Sequence, residues 1–226
     1  MNRNWLKIIL LFSIFGITLA TGLYLTDQIY RTFIDVFKLS PSQVSSDFSK
    51  HQSECKQIKD CKLIEGDILI RRYITHRTWL IDKLSHPFFT HSAMYLGNDK
   101  IIEATGYEEN PKDEIRISNF SQSDWQDEQI ESWVIIRPRN ISNKIVRIKK
   151  DLENIANDPD YRFGFPKKGY KRLSCSDLIL NPLINEAIIN VANRPEMITP
   201  DYLFWLAINN PGDFEIIAHK ATYQTD

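Results

Sequence analysis

The chain has 226 residues, room for one domain with a full core plus an N-terminal appendage. Hydrophobic residues make up 42% and charged residues 25%, an ordinary globular balance with no internal repeat, which excludes collagen-like and low-complexity organisation. Twenty-eight lysines and arginines against 29 aspartates and glutamates leave a formal net charge of -1, so no electrostatic footprint exists for wrapping nucleic acid.

The N-terminus differs sharply from the rest. Arg3 and Lys7 precede "IILLFSIFGITLATGLYL", residues 8–25, with no charge before Asp27. At 1.5 Å rise per residue this stretch spans about 27 Å, near the thickness of a bilayer's hydrocarbon core. The basic flank holds that end in the cytoplasm and predicts delivery of everything after Leu25 to the other, periplasmic-type side. Ala20 and Gly22 are spaced as a signal-peptidase site, so residues 1–26 read as a signal anchor or as a removable signal peptide. A buried core helix is the alternative, because the segment is apolar all round. No cysteine near its end could carry a lipoprotein anchor.

Residues 27–62 read as linker. Ile29, Phe33, Val36 and Phe37 recur at helical spacing, and a serine-rich stretch follows. Cys55 and Cys61 lie in the polar "SECKQIKDC", where five intervening residues let two thiols meet; in an oxidising compartment they are expected to pair. Cys175 is then the odd cysteine, either buried and inert or reactive. The domain boundary falls near Lys62, giving a folded domain over 63–226.

Short runs rich in isoleucine and valine, bounded by turn residues, predict strands at 66–71, 91–97, 100–106, 113–118 and 132–138. Gly97-Asn98-Asp99 tolerates positive φ and predicts a hairpin, hence an antiparallel sheet or small barrel. Ile145, Ile148, Leu152, Ile155 and Ala156 mark an amphipathic helix. Cys175 opens another with Ser174 as N-cap, and Pro182 is expected to break or kink it, leaving a separate helix over "LINEAIINVAN". Thr199 and Pro200 start a third, and "FEIIAH" forms a last strand. The fold class is α+β.

Five histidines are available. His51 falls in the linker, His219 in the last strand, and His76 and His86 in the loop between the first two strands. His91 opens a strand and lies across the hairpin from Glu103, so a carboxylate can fix its tautomer and leave the other ring nitrogen to take a proton. Cys175, at a helix N-terminus, sits beside unpaired backbone N–H groups and the positive end of the helix dipole, which favour thiolate and can receive an oxyanion. Glu103 reads equally as an ordinary sheet residue, and Cys175 as a small buried hydrophobe. No CxxC, HxxxH or HExxH spacing suggests a metal, and none is expected.

"GDILI", "THSAMYLGNDKIIEATG", "YRFGF…SCSDLI" and "ITPDYLF" follow one another in the order and approximate spacing of the YiiX/YebB-like branch of the NlpC-type cysteine peptidase superfamily, which the chain resembles over about residues 63–206. The resemblance implies a circularly permuted papain-like fold, with histidine ahead of cysteine. It implies Cys175 as nucleophile, His91 as general base, Glu103 as the residue orienting the imidazole, Asp67 as a structural acid, and Tyr161 or Tyr170 lining the cleft. The expected activity is hydrolysis of an amide or ester, in a peptidoglycan stem peptide or an acylated substrate, with no cofactor. An acyltransferase using the same trio and a catalytically silent module binding cell-wall or membrane ligands are the alternatives. Pro182 departs from the family's uninterrupted helix, which puts substrate preference in doubt.

Overall fold

The computed structural model describes residues 55–72, 89–105, 114–127, 130, 132–164, 171–191, 194–195 and 198–220. The apolar segment 8–25, the amphipathic stretch after it, His51, His76, His86 and Tyr170 lie outside them. Among the described residues no helix is long and apolar enough to cross a membrane.

A six-stranded antiparallel sheet dominates. Its strands are β1 (Ile68–Arg72), β2 (His91–Gly97), β3 (Lys100–Thr105), β4 (Glu114–Asn119), β5 (Ser132–Pro138) and β8 (Phe214–Lys220), in the order β4-β3-β2-β1-β5-β8. Among the described residues it is an open sheet rather than a barrel. Two further strands, β6 (Tyr161–Phe163) and β7 (Lys171–Leu173), form a separate parallel pair. At three residues each they are too short to show a period, and the sequence pattern does not predict them.

Both faces of the sheet are covered, which explains why "ILI" and "WVII" run apolar without alternation. On one face Leu69, Ala93, Ile101, Trp133 and Ile135 meet Phe120, Trp125 and Ile130. Phe120 and Trp125 come from two short 3-10 turns, Phe120–Gln122 and Asp124–Gln126. Ile68, Ile70, Met94, Ile102, Val134 and Ile136 face the other way and are fully buried. That side carries the helices α1 (Ile145–Asn157), α2 (Cys175–Asn185) and α3 (Pro200–Asn209). The fold class is thus α+β, a large antiparallel sheet packed against few helices.

The β2–β3 hairpin forms as its turn residues demand. Gly97, Asn98 and Asp99 have φ of 82°, 51° and 59°, the left-handed conformation that a two-residue loop needs. A Cβ at Gly97 would also collide with the Glu65 side chain. Asp99 then accepts hydrogen bonds from the Ser121 backbone N–H (2.8 Å) and hydroxyl (2.6 Å), tying the turn to the end of β4.

Two expectations are corrected. Residues 55–62, expected as linker, pack on the domain: Cys55 and Cys61 are joined in a disulfide, and Ile58 from the 3-10 turn between them is buried in the core cluster with Trp125. The polar character of the loop hid a single apolar anchor. Pro182 does not break α2, which runs to Asn185, and no separate helix follows in the described residues. The proline costs one backbone hydrogen bond within a helix already held by packing, since Leu178, Ile179, Leu180 and Leu183 are fully buried. The helix ends instead at Ala187, whose φ is +48°. Its N–H reaches the Ile184 carbonyl at 2.9 Å while the Ile188 N–H reaches Leu183 at 2.8 Å, a Schellman motif with alanine where glycine is usual.

Candidate active site

Cys175 is the first residue of α2, and its position is fixed by a capping box. The Ser174 hydroxyl accepts from the Asp177 N–H at 3.0 Å, and the Asp177 carboxylate accepts from the Ser174 hydroxyl at 2.6 Å and its backbone N–H at 3.4 Å. Arg194 donates to the other Asp177 oxygen at 2.8 Å, compensating a carboxylate that is fully buried. The N–H groups of Cys175 and Ser176 open the helix and have no acceptor within it. The Ser176 hydroxyl lies 3.8 Å from the Cys175 sulfur and 3.2 Å from the hydroxyl of Ser92 on β2, which anchors the helix end to the sheet.

His91 opens β2 on the opposite face from Ser92, by strand alternation. In the observed register Glu103 pairs with Ala93, so His91 and Glu103 are diagonal neighbours on one face. Their side chains meet, with Nε2 of His91 3.0 Å from Oε2 of Glu103. Glu103 is only 1% exposed, so its charge must be met by donors. Arg116, directly opposite on β4, donates Nε and Nη2 to Oε1 at 2.9 and 2.8 Å, and the Trp125 indole N–H donates to Oε2 at 3.1 Å. With His91 the carboxylate receives four donors, about its full accepting capacity.

Electrostatics follow from this packing. Burial pushes Glu103 up, but hydrogen bonding and charge from His91, together with the Trp125 and Arg116 donors, outweigh it and hold the carboxyl well below the usual range. An ionised Glu103 only accepts, so Nε2 of His91 carries its proton and Nδ1 is left for chemistry. Burial pulls the imidazole down, yet hydrogen bonding to Cys175 and Glu103 and their negative charges raise it to about 9. Burial likewise pushes the Cys175 thiol up, while hydrogen bonding and charge from His91, then the Ser92 hydroxyl and backbone, bring it from 9.0 to about 7. The arrangement stabilises a thiolate beside an imidazolium.

The structure therefore brings Cys175, His91 and Glu103 into one cluster. Tyr161 lies in β6, with the Lys171 ammonium 5.1 Å above its ring. Asp67 is buried at the head of β1 and bound by Arg137. His219 pairs with Val134 in the β5–β8 ladder. Among the described residues no group of three or more His, Cys, Asp or Glu is placed to hold a metal ion.

Four supporting residues escaped the sequence reading: Arg116, Trp125, Ser92 and Ser176. Only Arg116 left a signal, since pairing "DEIRIS" against "KIIEAT" sets an arginine opposite Glu103 once the register is known.

No protein-family model and no curated protein matches the sequence. Among solved structures the chain is similar to the crystal structure of metalloprotein YiiX, DUF1105, from Escherichia coli O157:H7, at 17% identity and a TM-score of 0.37, over 70% of this chain and 88% of that one.

Proposed function

We propose that the chain is a cysteine hydrolase of the permuted papain-like, YiiX/YebB-like kind, cleaving an amide or ester bond. The observation that carries this reading is the chain of hydrogen-bonding partners running from Glu103 through His91 to Cys175 at the capped start of α2; that environment favours lowering the thiol to about 7 and raising the ring to about 9. Between those pH values the sulfur is a nucleophile and the ring an acid, the pairing that acyl transfer needs.

The thiolate attacks the carbonyl carbon, and the carbonyl π electrons move to oxygen. That oxyanion faces the Cys175 and Ser176 N–H groups at the positive end of α2. Nδ1 of His91 protonates the leaving amine or alcohol as its bond to carbon breaks, giving a thioester. Water, deprotonated by Nδ1, then attacks the thioester, releasing the acid and regenerating the thiolate. Glu103 keeps its charge throughout and holds the ring.

We place this chemistry on the non-cytoplasmic side of a membrane, reached through residues 8–25, with a peptidoglycan stem peptide or an acylated molecule as substrate. The Cys55–Cys61 bond supports that placement, because such bonds persist in oxidising compartments. Incubation with acylated amines, esters and cell-wall peptides tests the reading: wild type should release the acid product, and Cys175→Ala should lower turnover by about a thousandfold or more. Transfer to an acceptor without hydrolysis would make the chain an acyltransferase. Undiminished turnover in Cys175→Ala would overturn the nucleophile.

A further inference from the structure

Oε1 of Glu103 takes both Arg116 donors, whereas Oε2 is shared between His91 and Trp125. A guanidinium fork favours one donor on each carboxylate oxygen. The Trp125 N–H opposes that rotation by keeping Oε2 turned toward the imidazole. Its ring also lies beside His91, with centroids 5.7 Å apart and planes 31° apart, close enough to favour a cationic imidazole. The Arg71 guanidinium also lies against that ring, 4.4 Å from the centroid, with its charge met by Asp124 at 2.6 Å.

Trp125 has a foundation of its own. It is 1% exposed and shares a core cluster with Ile58, at 2%, against which Cys55 and Cys61 also pack. The disulfide closes the turn that presents Ile58. A covalent clasp at the edge of the domain thereby bears on the tryptophan that aims the carboxylate.

We propose that Trp125 is a positioning residue for the general base, and that the Cys55–Cys61 turn sets its position, so that the reactivity of Cys175 depends on a bond remote in sequence. This inference rests on the thiol hydrolase reading and deepens it.

The test is the rate of Cys175 alkylation by iodoacetamide as a function of pH, in the intact protein, with thermal unfolding followed in parallel. Wild type should show a midpoint near 7. Trp125→Phe keeps a ring and loses the N–H; its midpoint should rise and its rate at pH 7 fall roughly five- to tenfold, with an unchanged plateau above about pH 10, where every thiol is ionised. Trp125→Leu should lose more. The double variant Cys55→Ala/Cys61→Ala should move the same way by roughly twofold or more, and it carries the test if Trp125→Phe does not fold, since it leaves the tryptophan in place. A wild-type midpoint at the ordinary thiol value would overturn the hydrolase reading itself. A wild-type midpoint near 7 that Trp125→Phe leaves unmoved or lowers would overturn the positioning role alone, and an unmoved double variant would remove the disulfide from it.

Discussion

Two buried carboxylates, Glu103 near one edge of the sheet and Asp67 at the head of β1, are held by the same device and are left with different capacities. Each is almost fully buried, and each takes two hydrogen bonds from an arginine on a partner strand: Arg116 for Glu103, Arg137 for Asp67 at 2.7 and 2.8 Å. The difference lies in the fork and the remaining partners: Arg137 gives one donor to each Asp67 oxygen, whereas Arg116 gives both to Oε1 of Glu103 and leaves Oε2 to His91 and Trp125. Asp67 accepts from the Ile64 backbone N–H at 2.8 Å, closing the turn that leads into β1. Glu103 accepts from an imidazole that in turn interacts with a thiol. A buried ion pair thus says little about function until its third partner can change its proton inventory.

Substitutions at the two carboxylates should have different consequences. Glu103→Gln removes the charge opposite His91 while preserving size; kcat/KM should fall by about two to four orders of magnitude in a steady-state assay, with the protein still folded. A stability loss alone, with activity per folded molecule unchanged, would make Glu103 a second Asp67. Asp67→Ala strands the partly buried Arg137 and the Ile64 N–H; urea unfolding should show a loss of about 3–5 kcal/mol, with kcat/KM of the folded fraction unaltered. An active-site effect from Asp67→Ala would instead merge the two regions.

The smallest effect sharpens the picture from the helix that carries the nucleophile. Ala187 holds the left-handed cap of α2 at φ +48°. Ala187→Gly relieves that strain at the cost of a more flexible unfolded chain, and should stabilise by about 0.5–1 kcal/mol in the same urea experiment without touching kcat. Lost activity there would show that the far end of α2 reaches the thiol.

The sequence reading succeeded where information is local. Thr199 accepts from the Tyr202 N–H at 3.2 Å, with Pro200 opening α3, and Ser174 caps α2 as its position predicts. The hairpin turn alone places His91 and Glu103 on adjacent strands within diagonal reach, although the register runs through Ala93. What stayed hidden is long-range. Trp125 sits in a three-residue turn with no period, and its partners Glu103, Arg71 and Ile58 are all distant in sequence. The Ser92–Ser176 contact joins a strand and a helix 84 positions apart. Pro182 misled because a helix held by tertiary packing tolerates a proline that an isolated one would not.

Folding is expected to make a thiolate–imidazolium pair from Cys175 and His91. Nuclear magnetic resonance of the His91 ring across the pH range reads it directly. The ring should still be protonated at pH 8 and lose its proton near pH 9, with Cys175→Ala lowering that midpoint because the negative partner is gone. A ring that is neutral at pH 8 in the wild type, and indifferent to the loss of the sulfur, would contradict it.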